Sequence, residues 1–273
     1  MPRPQTLHPL KQPLEELYRT YNHRRFVPPD PLQYVYGFED ARDREIAGLI
    51  ASSLAFGNVK QIVRSTGTVL SRMERPAEYV AHATAGSLCT EFAGFRHRFV
   101  AVEQLSAMLL GVRRVIERHG SLGDCFRAGL REDAPDLRDA LARFVAALRQ
   151  DGGGQRNFLL PSPERKSACK RLNLFLRWMV RRDNVDPGVW TGVPASKLIV
   201  PLDTHMFRIA QRLAWTRRKR PDLLAALEIT GALRRICPED PLRYDFALTR
   251  LGIRPEGDME RFLRACRARI APP

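Results

Sequence analysis

The chain has 273 residues, 44% of them hydrophobic, enough to bury a core as one large domain or as two closely packed lobes. Lys and Arg number 45 against 30 Asp and Glu, a formal charge of +15. Five scattered cysteines (Cys89, Cys125, Cys169, Cys237 and Cys266) exclude a zinc knuckle, an iron–sulfur loop and a disulfide framework.

The basic excess is mostly arginine, since lysine occurs only at positions 11, 60, 166, 170, 197 and 219. It favours a polyanionic partner, because each neutralised phosphate releases condensed counterions. Solubility combined with an arginine-rich coding bias is the bland alternative. Unpaired cysteines fit a reducing compartment, here the cytoplasm.

In chain order, residues 1–29 form an N-terminal segment with one helix near 12–24 and no apolar signal core. Residues 30–273 read as a helical domain. Helical periodicity places helices near 40–56, 58–73, 100–118 and 134–149, and strand alternation is nearly absent. Asp151 and the three glycines after it break the pattern, followed by Pro161 and Pro163, so a lobe boundary is expected near 151–163. Further helices follow near 164–182, 204–215, 220–236, 241–251 and 257–270. No stretch is long and apolar enough to span a membrane. The fold class is all-α.

In the 164–182 helix, Leu172, Phe175, Leu176 and Met179 form a core-facing stripe, while Lys170, Asn173 and Arg177 share another face. Taken alone, that second stripe reads first as a solvated face. For Lys170 to act as a nucleophile it needs partial shielding and nearby positive charge, which Lys166, Arg171 and Arg177 could supply. An irregular stretch, 183–201, carries Gly188, Gly192, three prolines and Trp190. It leads to Asp203, placed where an N-cap belongs before the stripe Met206, Ile209, Ala210, Leu213. Capping alone explains an aspartate there, yet such a carboxylate is also rigidly held and suited to facing a developing sugar cation. His205 beside it is a structural or substrate-binding candidate. The pair makes a poor metal site, so no metal and no cofactor are expected.

The segments SACKRLNLFLRWMVR (167–181) and PLDTHMFRIAQRL (201–213) together resemble a bacterial family of unknown function. That family in turn resembles the helix-hairpin-helix (HhH-GPD) DNA glycosylases, most closely the archaeal 8-oxoguanine branch. The resemblance to the first family runs over roughly 30–270; the glycosylase likeness is concentrated between 165 and 215. It implies a two-lobed helical fold and makes Asp203 the catalytic aspartate. It makes Lys170, 33 positions earlier, the Schiff-base lysine. A third segment, IASSLAFGNVKQI (50–62), resembles the helix–loop–helix that carries a wedge residue, here Gln61, Asn58 or Phe56. The usual L-P-G-V-G hairpin is missing, the lysine-to-aspartate interval is longer than in endonuclease-type members, and the C-terminal iron–sulfur cysteines are absent.

The function this implies is base-excision repair by base flipping, with AP-lyase activity through Lys170, on an oxidised base such as 8-oxoguanine in damaged duplex DNA. The enzyme would act as a monomer. Trp190, Trp178 and Phe207 are candidates for stacking on the base, though each could be core. Arg177, Arg208, Arg212, Arg217, Arg218 and Lys219 are candidate phosphate contacts. The competing readings are a non-catalytic DNA- or RNA-binding protein on the same helical fold, and a helical protein–protein scaffold.

Overall fold

A computed structural model describes residues 8–149, 157–164, 167–254 and 257–270. The Asp151 turn and Lys166 lie outside the described residues. Helix α1 (Lys11–Tyr21) is followed by two 3-10 turns, Arg24–Phe26 and Pro31–Gly37. Helix α2 (Ala41–Ser53) starts at Asp40, whose carboxylate accepts the Arg42 and Asp43 amides. Buried residues run along α2 from Asp43 to Ser53, so it is a central helix rather than an amphipathic one. Helices α3 (Val59–Leu70), α4 (Pro76–His82) and α5 (Ala85–Glu91) follow, the last opened by a Thr84–Ser87 capping box.

A two-stranded antiparallel hairpin, β1 (Arg96–His97) and β2 (Val100–Ala101), pairs Arg96 with Ala101 and His97 with Val100. Helix α6 (Val102–His119) leads through Gly120 to α7 (Leu122–Ala128) and α8 (Arg138–Arg149). Then come α9 (Lys170–Val180), a 3-10 turn at Ala195–Lys197 and α10 (Thr204–Arg212). The last three helices are α11 (Leu223–Ile236), α12 (Asp245–Ile253) and α13 (Met259–Ile270).

The all-α expectation agrees with this architecture. The helices of only seven residues, α4, α5 and α7, had no counterpart in the sequence reading, because they are too short to display a full helical period.

The apolar residues form two cores. The larger runs from Val27 to Leu198, with Leu242 and Phe246 added, and is centred where α2 meets α9. There Gly48 permits close approach: a Cβ at this position would lie 2.7 Å from Met179 Cε. The smaller core joins α1 to α10, α11, α12 and α13 through Leu14, Leu17, Met206, Ile209, Ile229, Leu248 and Leu263. Leu159 and Leu160 belong to the larger core. The cores exchange chain at 168–169, where Ala168 joins the smaller and Cys169 the larger, and again at 198–199. Cys169 takes a left-handed conformation (φ 44°, ψ 41°) at the first crossing, immediately before α9. Among the described residues no helix is long and apolar enough to cross a membrane.

Candidate functional site

Lys170 opens α9 at the boundary between the cores. It is half-buried, and its Nζ donates to the Ala55 carbonyl at 3.2 Å. Arg171, its buried neighbour, donates to the Ser53 carbonyl at 2.7 Å and the Phe158 carbonyl at 2.6 Å. Its guanidinium lies 4.8 Å from the Phe56 ring centre and 4.4 Å from that of Phe158. Neither cation has a carboxylate partner among the described residues. Backbone carbonyls accept some of their N–H groups but leave the charge standing. Burial pushes the Arg171 guanidinium down to about 10.

Asp203 caps α10 as its position in sequence suggested, Oδ1 accepting the Met206 amide at 2.7 Å. Leu202 and Met206, on either side, sit in the smaller core with Ala168. The carboxylate also bears on a buried charge network. Asp245 is pushed up to about 6, first by burial, against the pull of Arg177, with the charges of Asp203 and Asp186 pushing further in the same direction. Lys170 follows Cys169 of the larger core and Asp203 follows Leu202 of the smaller one, and no hydrogen bond or ion pair joins the two. The sequence pattern supplied both positions. Their surroundings come from Ala55, Phe158 and Asp245, which are remote in the chain.

Several other predicted residues lie elsewhere than expected. Arg177 is not available to phosphate: it is buried, with Nη1 2.6 Å from Asp245 and Nε and Nη2 on Asp186. Two carboxylates offset its charge, so it lends no net positive field to Lys170. Trp178 is fully buried within the larger core. Trp190 packs against Phe126, Phe144 and Phe175, and its indole N–H donates to Glu45 at 2.8 Å. Phe207 lies in the smaller core. None of these three rings offers a face to a base, because burying a large aromatic surface outweighs leaving it free. His205 is half-buried beside Gly252 of α12.

Of the wedge candidates, Gln61 is exposed on α3, whereas Asn58 is its N-cap, accepting the Lys60 amide at 2.9 Å. Phe56 is half-buried in an aromatic cluster. Among the cations after Asp203, Arg208, Arg217 and Lys219 are exposed without an ion pair among the described residues. Arg212 pairs with Glu260, and Arg218 pairs with Asp222 at 2.6 Å. A depression lined by Arg72, Glu74, Arg75, Glu78 and Glu91 has mixed charge and includes none of the predicted site residues.

Two features escaped the sequence reading. Glu45 is buried in α2 and accepts the Leu122 and Gly123 amides at 2.7 and 2.9 Å along with the Trp190 indole, a polar tie at the centre of the larger core. Burial raises its carboxyl, and those three hydrogen bonds pull the other way. The exposed aromatics near Lys170 are Phe99 and Phe158. For Phe99 a signal was present, since Arg96-His97-Arg98-Phe99 interleaves basic and aromatic residues.

No curated protein and no solved structure matches the chain significantly. The DUF2400 family, described as a protein of unknown function, matches residues 30–254, and the chain belongs to it.

Proposed function

We propose that the protein is a DNA glycosylase with AP-lyase activity, excising an oxidised base from duplex DNA with Lys170 as nucleophile and Asp203 as the charge-stabilising carboxylate. The observation that carries this reading is the state of Lys170. It is a half-buried amine at the seam between two cores, held by one backbone carbonyl and paired with no carboxylate among the described residues. Most structural lysines either reach water or meet an acid. The neighbouring cation, Arg171, also meets no acid among the described residues, so none of their carboxylates competes with an incoming sugar for the amine.

In this reading the damaged nucleotide leaves the stack, exposing C1′. Lys170 gives up its ammonium proton toward the departing base, and the freed lone pair forms an N–C1′ bond as the C1′–base bond breaks. The bonding electrons leave with the base, which takes up a proton. Opening of the sugar ring and loss of a proton from nitrogen give the imine, which activates C2′–H for elimination of the 3′ phosphate. Asp203, fixed by the Met206 amide, would oppose the positive charge that builds on the sugar. The exposed Arg208, Arg217 and Lys219, which follow Asp203 in the chain, suit phosphate contact.

A second reading has its own support. The Lys170–Ala55 hydrogen bond and the Asp203 cap are each sufficient structural roles, as expected of a nucleic-acid binder without catalysis. Borohydride trapping on labelled duplexes carrying 8-oxoguanine, uracil or an abasic site separates the two. A covalent adduct that vanishes in Lys170→Ala is the expected result. Salt-sensitive binding with no adduct on any duplex overturns the catalytic reading and leaves the binder.

A further inference from the structure

The five large hydrophobic side chains most exposed on the described surface are Val59, Phe99, Phe158, Leu224 and Ile253. Two of them touch. Phe99 is 55% exposed and Phe158 39%, and their ring centres lie 4.3 Å apart. Phe56 joins both, 5.6 Å from Phe99 and 5.0 Å from Phe158. The three rings come from separate parts of the chain: the turn after α2, the tip of the hairpin, and the segment before α9. Val59, three residues after Phe56, opens α3.

The cluster is braced from beneath. Arg171 lies against Phe56 and Phe158 and bonds the backbone on either side, while the His97 ring meets Phe56 edge-on at 4.5 Å. His97 donates from Nε2 to the Phe56 carbonyl at 3.1 Å and meets Ser65 Oγ through Nδ1 at 2.9 Å. The hairpin tip is seated on Gly57, whose φ of +95° suits glycine and whose missing Cβ leaves room for Arg98; a Cβ there would lie 2.9 Å from Arg98 Cδ. Rings held in this way present an apolar surface without having to be ordered on binding.

Charge decides what such a surface fits. Arg171 packs on two of the rings, Lys170 bonds the Ala55 carbonyl next to Phe56, Arg98 lies over Gly57, and Lys60 and Arg96 stand within four residues of Phe56 and Phe99 in the chain; none of the five makes an ion pair among the described residues. Residues 53–62 and 94–102 contain no acidic side chain. An apolar peptide or a second copy of this chain would leave that positive charge unanswered. A nucleobase has a flat face for the rings and carries its phosphate within reach of the cations.

We propose that Phe99 and Phe158 form a stacking platform for an unpaired nucleobase of a DNA strand, whose flanking phosphates are held by Lys60 and Arg98. The platform deepens the glycosylase reading only in so far as Lys170 is close by. Its recognition of an unpaired base stands or falls separately from catalysis.

The test is equilibrium binding of a fluorescent oligo-dT strand and of a fully paired duplex of equal length, across a salt series. Phe99→Ala is expected to weaken strand binding by roughly five- to a hundred-fold, with an unchanged salt slope and little effect on the duplex. Phe99→Trp is expected to retain binding and to show quenching of its added emission by the strand. Lys60→Ala with Arg98→Ala should flatten the salt slope instead. An equal loss on strand and duplex in Phe99→Ala, or no loss on either, overturns the platform. So does an emission blue shift in Phe99→Trp with anionic phosphatidylserine vesicles but not with the strand, which would assign the patch to a lipid surface. Stacking in the absence of any borohydride adduct would keep the platform and discard the glycosylase. An adduct without stacking would do the reverse.

Discussion

The two ends of α9 carry the same kind of side chain in opposite circumstances. At its C-terminal end Arg177 and the adjoining Arg181 are buried among Asp183, Asp186, Asp240 and Asp245. At its N-terminal end Lys170 and Arg171 meet carbonyls and aromatic rings, and no carboxylate among the described residues. The first arrangement is closed: its cations are spent on holding α9 to the following loop and to α12. The second is electrostatically open, and an arriving anion is the partner it lacks. A count of basic residues cannot distinguish the two, but their acceptors can.

The comparison can be broken by substitution. Arg177→Met leaves Asp186 and Asp245 buried without their common partner and is expected to cost about 3–5 kcal/mol, read from the urea midpoint. Arg171→Met, at the other end, removes two carbonyl hydrogen bonds but strands no charge. Its expected cost is smaller, about 1–3 kcal/mol. Equal losses would mean that the open end is as structural as the closed one.

Asp203 sharpens the contrast between holding and reacting. Asparagine caps a helix as well as aspartate, so Asp203→Asn should leave stability within about 0.5 kcal/mol while Asp203→Ala loses about 1 kcal/mol. If Asp203→Asn retains full trapping activity, the cap is the residue's whole role and its charge takes no part.

The smallest effect is a pH dependence at the foot of the aromatic cluster. Burial holds His97 below its ordinary value of 6.5; the Phe56 and Leu54 carbonyls oppose this, and the charges of Arg98 and Arg171 reinforce it. As pH falls the unfolded chain takes up the proton first, so the stability carried by neutral His97 is present above about 6.5 and is lost as pH drops through the folded-state value. Urea midpoints between about pH 7.5 and 5.5 should therefore fall less in His97→Gln than in the native chain.

The sequence was informative where a period or a cap was involved. The stripe Leu172, Phe175, Leu176, Met179 does face the larger core, and Asp203 does cap a helix. It misled where burial depends on distant partners. Lys170, Asn173 and Arg177 share a helix face, yet Asn173 bonds the Ala168 carbonyl and Arg177 is enclosed by acids from positions 186 and 245. Both predicted stacking tryptophans are core: Trp190 finds its acceptor in Glu45, far back in α2, whereas the Trp178 indole N–H is buried with no hydrogen-bond partner among the described residues. The Phe99–Phe158 contact joins segments with no shared period, so nothing along the chain brings the two rings together.

The smaller core has a consequence for biosynthesis. Helix α1 is made well before α12 and α13, its partners in the smaller core. Glu15 accepts from Arg243 at 2.8 Å and from the Tyr244 hydroxyl at 2.7 Å, across 228 and 229 positions. At about 5–20 residues per second, α1 leaves the ribosome on the order of ten seconds or more before those partners exist. Its apolar stripe of Leu14, Leu17 and Tyr21 must wait through that interval uncovered. The part of the larger core from Val27 to Leu198 can condense as it emerges, whereas closure of the smaller one waits until α12 and α13 have been made. A nascent chain stalled before α12 would offer that stripe to chaperones.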